Sequence, residues 1–361
     1  MRARLEASRQ TGRRRLSEPV EARSSKLEAY PSHRRDDGGF RNPWIDVDPG
    51  KDSAKFWRWQ RERMRKGFPH RRGATVPKAI PTFDTLRAPV DVTTATWIGQ
   101  SSWLLQIGGL NVLTDPVFSR RASPVSWAGP ARVNPPGVPF EMLPPIDAVL
   151  ISHDHYDHLD DASVRALHAR FGYRLTWIAP LGFTQWFAKR GILRVVELDW
   201  WERARILMSD GGSLDVTATP AQHWCKRGPR DARRLWCSFA LEATTIDGAK
   251  RSVFFAGDSG YCPAFREIGT KLGPFDLSLV PIGAYEPRWF MQPAHMNPEE
   301  AVQVYQDLGG RGRFAGMHWG TFILTDEPVN EPPERVRVEW RARGLAEGDL
   351  HVPATGETLR F

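Results

Sequence analysis

Cysteine is scarce in this chain. Cys225, Cys237 and Cys262 are the only three among 361 residues, and none forms a CxxC pair. That excludes a cysteine zinc knuckle and a disulfide framework, and it fits a reducing compartment. No run of about 18 apolar residues occurs, so no membrane-spanning helix is expected. The first residues lack the apolar stretch of a secretory signal. Arg13-Arg14-Arg15 is followed by Leu16-Ser17-Glu18-Pro19, which is no twin-arginine signal either. We therefore expect a cytoplasmic protein. No repeat of fixed period is visible, which sets aside solenoids and propellers.

What is present is an ordinary globular composition, 41% hydrophobic and 25% charged, in a chain long enough to bury a sizeable core. Tryptophan is abundant, at 15 residues, which suits a pocket or an interface as well as a core. The net charge of +8 is unevenly placed. Arg2 to Arg72 holds 20 Lys and Arg against 10 Asp and Glu, so the remainder is slightly acidic. Such a segment suits an acidic partner such as an anionic lipid surface, and equally a solvated tail.

Composition and pattern divide the chain in three. Residues 1–40 are rich in Arg, Ser, Glu and Pro without an apolar period and read as a disordered basic arm. Residues 41–89 read as an extension that docks on the core. Lys55-Phe56-Trp57-Arg58-Trp59 interleaves aromatics with cations, a pattern for an anionic membrane contact or for simple docking. Residues 90–361 read as the compact main domain. Strand-like runs are expected at 92–98, 103–107, 110–113, 147–152, 214–219, 237–244, 252–256, 277–282, 350–352 and 358–361. Helices are expected at 160–171, at 298–308 with Asn297 as cap, and at 335–343. Strands outnumber helices and the helices are interspersed, so the fold class is mixed α/β with two sheets.

The strongest local signal is His153-Asp154-His155-Tyr156-Asp157-His158. Three histidines and two acids fall within six residues, directly after the apolar run Ala148-Val149-Leu150-Ile151. A strand exit can aim His153 and His155 at one point and turn Asp157 and His158 toward another. Imidazole and carboxylate suit zinc, iron or manganese. Three more candidates follow apolar runs beside a turn or glycine: His223, Asp258 and His318. A lone histidine at a strand end is usually structural. Four such strand ends favour metal.

This set resembles the metallo-β-lactamase superfamily, whose HxHxDH motif matches His153, His155, Asp157 and His158. The resemblance runs from about Val92 to the C-terminus and implies an αββα sandwich, two mixed β-sheets flanked by helices. It implies two divalent ions, zinc first, with manganese or iron as alternatives. His153, His155 and His223 would hold one; Asp157, His158 and His318 the other; Asp258 would bridge them. Leu113-Thr114-Asp115-Pro116, Leu143-Pro144-Pro145, Leu198-Asp199-Trp200-Trp201, Tyr285-Glu286-Pro287-Arg288 and Asn42-Pro43-Trp44 are similar to one branch, the N-acyl-phosphatidylethanolamine-hydrolysing phospholipases D and their bacterial relatives. That branch implies a catalytic histidine, which falls on His295. Two departures stand out. Gln100 occupies a glycine turn where the family often has histidine, and Ala294 precedes His295 in place of a polar amide.

A binuclear centre can hold a bridging hydroxide at neutral pH. A phosphodiesterase of phospholipase D type, acting on lipid-like diesters, is the leading expectation. Asp157 would orient or deprotonate the water and His295 would protonate the leaving alkoxide. A lactonase or other carbonyl hydrolase of the same fold is the alternative, and a metal-binding scaffold is the non-enzymatic one. Nucleic acid is disfavoured as a partner because the basic charge lies on the arm rather than around the motifs. Asp115 reads either as support for a ligand histidine or as an Asp-Pro turn. Trp200-Trp201 and Trp289-Phe290 read as pocket lining or as core, and Arg288 as a phosphate partner or a surface pair.

Overall fold

The computed structural model describes residues 32–46, 53–67, 75–83, 92–207, 211–227 and 233–361. Apolar runs bounded by turns build two seven-stranded sheets. The first contains β1 (Thr94–Gly99), β2 (Ser102–Ile107), β3 (Leu110–Thr114), β4 (Ala148–Leu150), β5 (Thr176–Pro180), β6 (Val195–Leu198) and the last strand, β14 (Thr358–Arg360). The second contains β7 (Arg203–Leu207), β8 (Ser213–Thr219), β9 (Ser238–Thr244), β10 (Lys250–Phe255), β11 (Leu277–Pro281), β12 (Arg313–Met317) and β13 (Leu350–His351).

The two sheets share one wiring. The first runs β14-β1-β2-β3-β4-β5-β6, antiparallel up to β3 and parallel from there on. The second runs β7-β8-β9-β10-β11-β12-β13, antiparallel up to β10 and parallel beyond. The C-terminal β14 thus completes the first sheet in the place β7 takes in the second. This duplicated architecture is not visible as a sequence repeat.

Strands β1 to β5 and β11 are buried at every residue. Each therefore has both faces covered, by the opposite sheet and by outer layers. Helices α2 (Asp161–Phe171), α3 (Thr184–Ala188), α4 (Ala264–Leu272), α5 (Arg288–Met291), α6 (Pro298–Asp307) and α7 (Glu331–Ala342) follow in chain order behind an N-terminal α1 (Ser53–Lys66). Helix α6 packs on β11, with α4 and α7 against it. Its start is a capping box in which Asn297 accepts from the Glu300 amide and Glu300 accepts from the Asn297 amide.

Sequence pattern missed β5, β6, β7 and four helices, α1, α3, α4 and α5, and marked β12 only as the apolar run ahead of His318. Helix α4 shows why. Gly269 in its middle lowers helix propensity, yet an added Cβ there would lie 2.0 Å from the Asp307 carbonyl oxygen. Close contact with α6 requires the glycine. Helix α7 starts at Glu331, four residues before the expected Arg335. Pro332 and Pro333 fall in its first turn, where no intrahelical N–H is needed.

Residues 1–31 of the expected arm lie outside the described residues. Its remainder, 32–40, lies with 41–46 as a strap along the sandwich. His33 Nε2 lies 2.7 Å from Asp199 and its ring stacks on Trp200 at 4.4 Å. Trp44 stacks on the same indole at 5.7 Å. Segment 75–83 pairs with the C-terminal region, where Ala79 donates to Thr355 and Thr355 to Pro77.

Trp340, fully buried in α7, packs on Tyr305 and Phe314 and donates Nε1–H to the Ala346 carbonyl. Trp340→Ala is expected to cost about 3–5 kcal/mol, read from the denaturant midpoint, while metal uptake by the remaining folded protein stays unchanged.

Candidate metal centre

Strand β4 ends at Leu150 and delivers Ser152 to His158 into the cleft between the sheets. β8 delivers His223, β10 delivers Asp258 and β12 delivers His318, each one to four residues beyond the strand end. Glycine permits the tightest approach. Gly257 has φ +59°, and a Cβ there would lie 2.7 Å from the Ser152 Cβ. Three non-glycine residues around the cleft also take left-handed backbone: Gln100, Asp115 and His318. Strain of this kind persists where surrounding bonds over-determine it.

All seven expected ligands come together, in two groups whose donor atoms lie within 4.8 Å of one another. One comprises His153, His155 and His223; the other comprises Asp157, His158, Asp258 and His318. In the first group, His155 Nδ1 is 2.9 Å from His153 Nε2 and 3.1 Å from His223 Nε2. In the second, His158 Nε2 and His318 Nε2 each lie 3.1 Å from Asp258 Oδ2. Asp157 Oδ2 is 3.4 Å from His158 and 3.2 Å from His318. His153 and His223 approach that same Asp258 oxygen to 3.9 Å.

The outward nitrogens fix how the rings present themselves. His223 Nδ1–H donates to the Ala294 carbonyl at 2.9 Å. His158 Nδ1–H donates to Asp115 at 2.7 Å. Ser152 donates its hydroxyl to Asp115, so its oxygen is left to accept from His153 Nδ1 at 2.9 Å. His153 and His223 thus both turn an Nε2 lone pair toward His155 Nδ1. One proton on His155 can satisfy one of them and not both. A shared cation satisfies all three. His158 Nε2, Asp258 Oδ1 and His318 Nδ1 are buried without a hydrogen-bond partner among the described residues. The donor set therefore fits divalent metal.

The electrostatics divide along the same line. Burial, with neighbouring histidines, holds His153 and His223 well below the ordinary histidine value and lowers His155. Burial also opposes charge on His158 and His318, but Asp258 and Asp157 override it. His158 stands well above its usual value and His318 is pushed up to about 9. Burial of Asp157 and Asp258 is likewise overridden by His158 and His318, which hold both carboxyls well below their usual range. Two buried carboxylates are thus balanced by protons on two imidazoles, a role a divalent cation takes over when it displaces those protons.

The open alternatives also resolve. Asp115, fully buried, accepts from the Ser152 amide and hydroxyl and from His158, so it supports a candidate ligand histidine. Burial raises it and the His158 bond moderates the rise. Arg288 pairs with Glu300 and donates to the His295 carbonyl, both at 2.8 Å. Trp200 packs in the core and donates to the Trp236 carbonyl. Asp154, inside the motif, turns away and accepts from the Lys226 amide and Arg234. His295 reaches the edge of the cluster, its Nδ1 3.8 Å from Asp258 Oδ2 and otherwise unpartnered. Burial pulls it down to about 4.

Sequence reasoning missed four contributors, the first of them Ser152, which accepts from His153 Nδ1. Gln100, noted as a departure, donates Nε2–H to Asp157 at 2.8 Å, and its carbonyl accepts from the His318 amide. Ala294 contributes a carbonyl, which any residue supplies. Asn42 holds His223 by its backbone; the Asn-Pro-Trp resemblance marked the place without the role.

A two-sheet sandwich carrying this His/Asp cluster at its strand ends defines a metal-dependent hydrolase of metallo-β-lactamase fold. The family model of the β-lactamase superfamily domain matches residues 110–319, and the chain belongs to this superfamily. Within it, the chain is 41% identical over 257 residues to N-acyl-phosphatidylethanolamine-hydrolyzing phospholipase D 1 of Caenorhabditis elegans, covering 69% of this chain and 70% of that one. It is 34% identical over 291 residues to the mitochondrial N-acyl-phosphatidylethanolamine-hydrolyzing phospholipase D of Saccharomyces cerevisiae, covering 79% and 59%. Among solved structures, the metallo hydrolase Igni18 from Ignicoccus hospitalis shares the fold at a TM-score of 0.54 and 23% identity, over 75% of this chain and 98% of that one. No described helix is long and apolar enough to cross a membrane.

Asp115→Ala is expected to weaken metal affinity about 10–100-fold, measured by titration against a competing chelator, with the fold retained by circular dichroism.

Proposed function

We propose that the protein is a binuclear phosphodiesterase of phospholipase D type acting on N-acyl-phosphatidylethanolamine-like lipids. The observation that carries this reading is the convergence of seven His and Asp donors as two adjoining groups. The similarity to the two phospholipases D supports the substrate class. His153, His155 and His223 would hold one ion; Asp157, His158 and His318 the other. Asp258 Oδ2, 3.1 to 3.9 Å from four of the histidines, is suited to both. Two bound divalent ions supply an activated water and neutralise the anionic diester.

The remaining steps belong to side chains. Asp157 takes a hydrogen bond from Gln100 and orients the attacking water. As the water oxygen bonds to phosphorus, the bond to the leaving alkoxide breaks opposite. His295 is the group we assign to that alkoxide. His295 takes up a proton as the anionic diester binds and gives it to the alkoxide, while Asp157 accepts the proton of the attacking water, so that protons balance over the cycle. Arg288 and Glu300 hold the His295 main chain in place.

A lipid must also reach the site from a bilayer. Helix α1 exposes Phe56, Trp57 and Met64 among Lys55, Arg61 and Arg65. It packs through Trp59 on Phe290 of α5, with ring centroids 5.2 Å apart, and α5 leads to His295. We assign α1 as the face that meets an anionic membrane.

Metal-loaded protein is expected to hydrolyse bis(p-nitrophenyl) phosphate and to release N-acylethanolamine from N-acyl-phosphatidylethanolamine. His155→Ala should abolish both with loss of metal. His295→Ala should keep the metal and lower kcat by about 10²–10⁴-fold. Activity confined to lactones or nitrocefin would overturn the reading. Vesicles containing phosphatidylserine should retain the protein, less so as salt rises, and Trp57→Ala should weaken retention. Equal binding by that variant would refute the assignment of α1.

A further inference from the structure

The family model begins at residue 110, yet one of the tightest contacts to a candidate ligand comes from residue 42. Asn42 is 2% exposed. Its Nδ2–H donates to the His223 carbonyl at 2.9 Å, and its Oδ1 accepts from the His223 amide at 3.0 Å. One side-chain amide therefore satisfies both main-chain groups of one ligand, as a neighbouring strand would. The His223 ring is fixed independently by the Ala294 carbonyl. Between them, the two contacts hold backbone and ring.

The strap carrying Asn42 is anchored on either side. Upstream, His33 and Arg34 pair with Asp199, and His33 stacks on Trp200. Downstream, Trp44 stacks on Trp200 from its own position. Asp199 and Trp200 follow β6, in the first sheet, whereas His223 follows β8, in the second. The turn bearing Asp199 and Trp200 also bonds Ala218 of β8 through the Trp201 amide, so the strap joins the β6–β7 turn to the loop after β8.

We infer that Asn42 is a positioning residue for His223, and that residues 32–46 are a working part of the metal centre rather than a docked extension. The inference rests on the reading of His223 as a metal ligand. Losing the Asn42 amide leaves the buried His223 N–H and C=O unpaired. The loop then relaxes, and the His223 lone pair no longer converges on that of His153.

The full chain tests this in two ways. Asn42→Ala, titrated with zinc against a competing chelator at a temperature where circular dichroism shows both metal-free proteins folded, should bind at least about tenfold more weakly than wild type. Trp44→Ala, which loosens the strap without touching His223, should show a smaller loss of affinity. Hydrogen exchange of the unmodified protein gives the reciprocal reading, because what positions a ligand is itself stabilised by the metal. Zinc should slow exchange in peptides covering residues 38–46 as well as those covering His223. Wild-type affinity in Asn42→Ala, or zinc protection confined to His223, would overturn the inference. Absence of zinc binding by the wild-type chain would instead sink the metal reading beneath it.

Discussion

Five imidazoles and two carboxylates crowd a cleft with almost no access to water. Buried charge is expensive unless it is paired and hydrogen-bonded, and three imidazole nitrogens directed at one another cannot all be satisfied by protons. Much of the surrounding structure is arranged to hold this unfavourable convergence. Asp115 and Ser152 orient His158 and His153, Gln100 holds Asp157, and the Ala294 carbonyl fixes the His223 ring. Left-handed backbone at Gln100, Asp115 and His318 belongs to the same cost. A cation that relieves the convergence would stabilise every element that contributes to it.

The sandwich supplies the rigidity for this. Strands buried on both faces cannot slide without exposing a whole apolar row, so their ends are firm platforms for short loops. Duplicated wiring places comparable strand ends opposite each other across one cleft. Ligands spread over more than 160 residues of chain then fall within hydrogen-bonding distance. The rim is built differently: α1 exposes aromatics among cations and packs through Trp59 on Phe290 of α5.

Much of the centre was legible beforehand because its ligands are local in kind. The six residues His153 to His158 follow a recognisable buried run, and His223, Asp258 and His318 each end one. Residues whose role depends on distant chain were not legible. Nothing near Asn42 indicates that it faces residue 223, and Gln100 looked like a departure until Asp157 lay beside it. Arg288, open between a phosphate partner and a pair with an acid, is bound to Glu300. Among the elements, β6 and β7 were missed because Glu197, Arg203 and Arg205 break their apolar character. The start of α7 was misplaced because prolines in a first turn resemble a stop.

The sequence by itself picked out the candidate ligands, the mixed α/β class and most of the buried strands, since these follow from side-chain chemistry and short-range periodicity. Tertiary structure alone decided which nitrogen of each ring faces inward, which acids support and which turn away, and that a segment far upstream closes the site. Those outcomes depend on hydrogen bonds between residues 37 to 181 positions apart. Their geometry exists only once both sheets are packed.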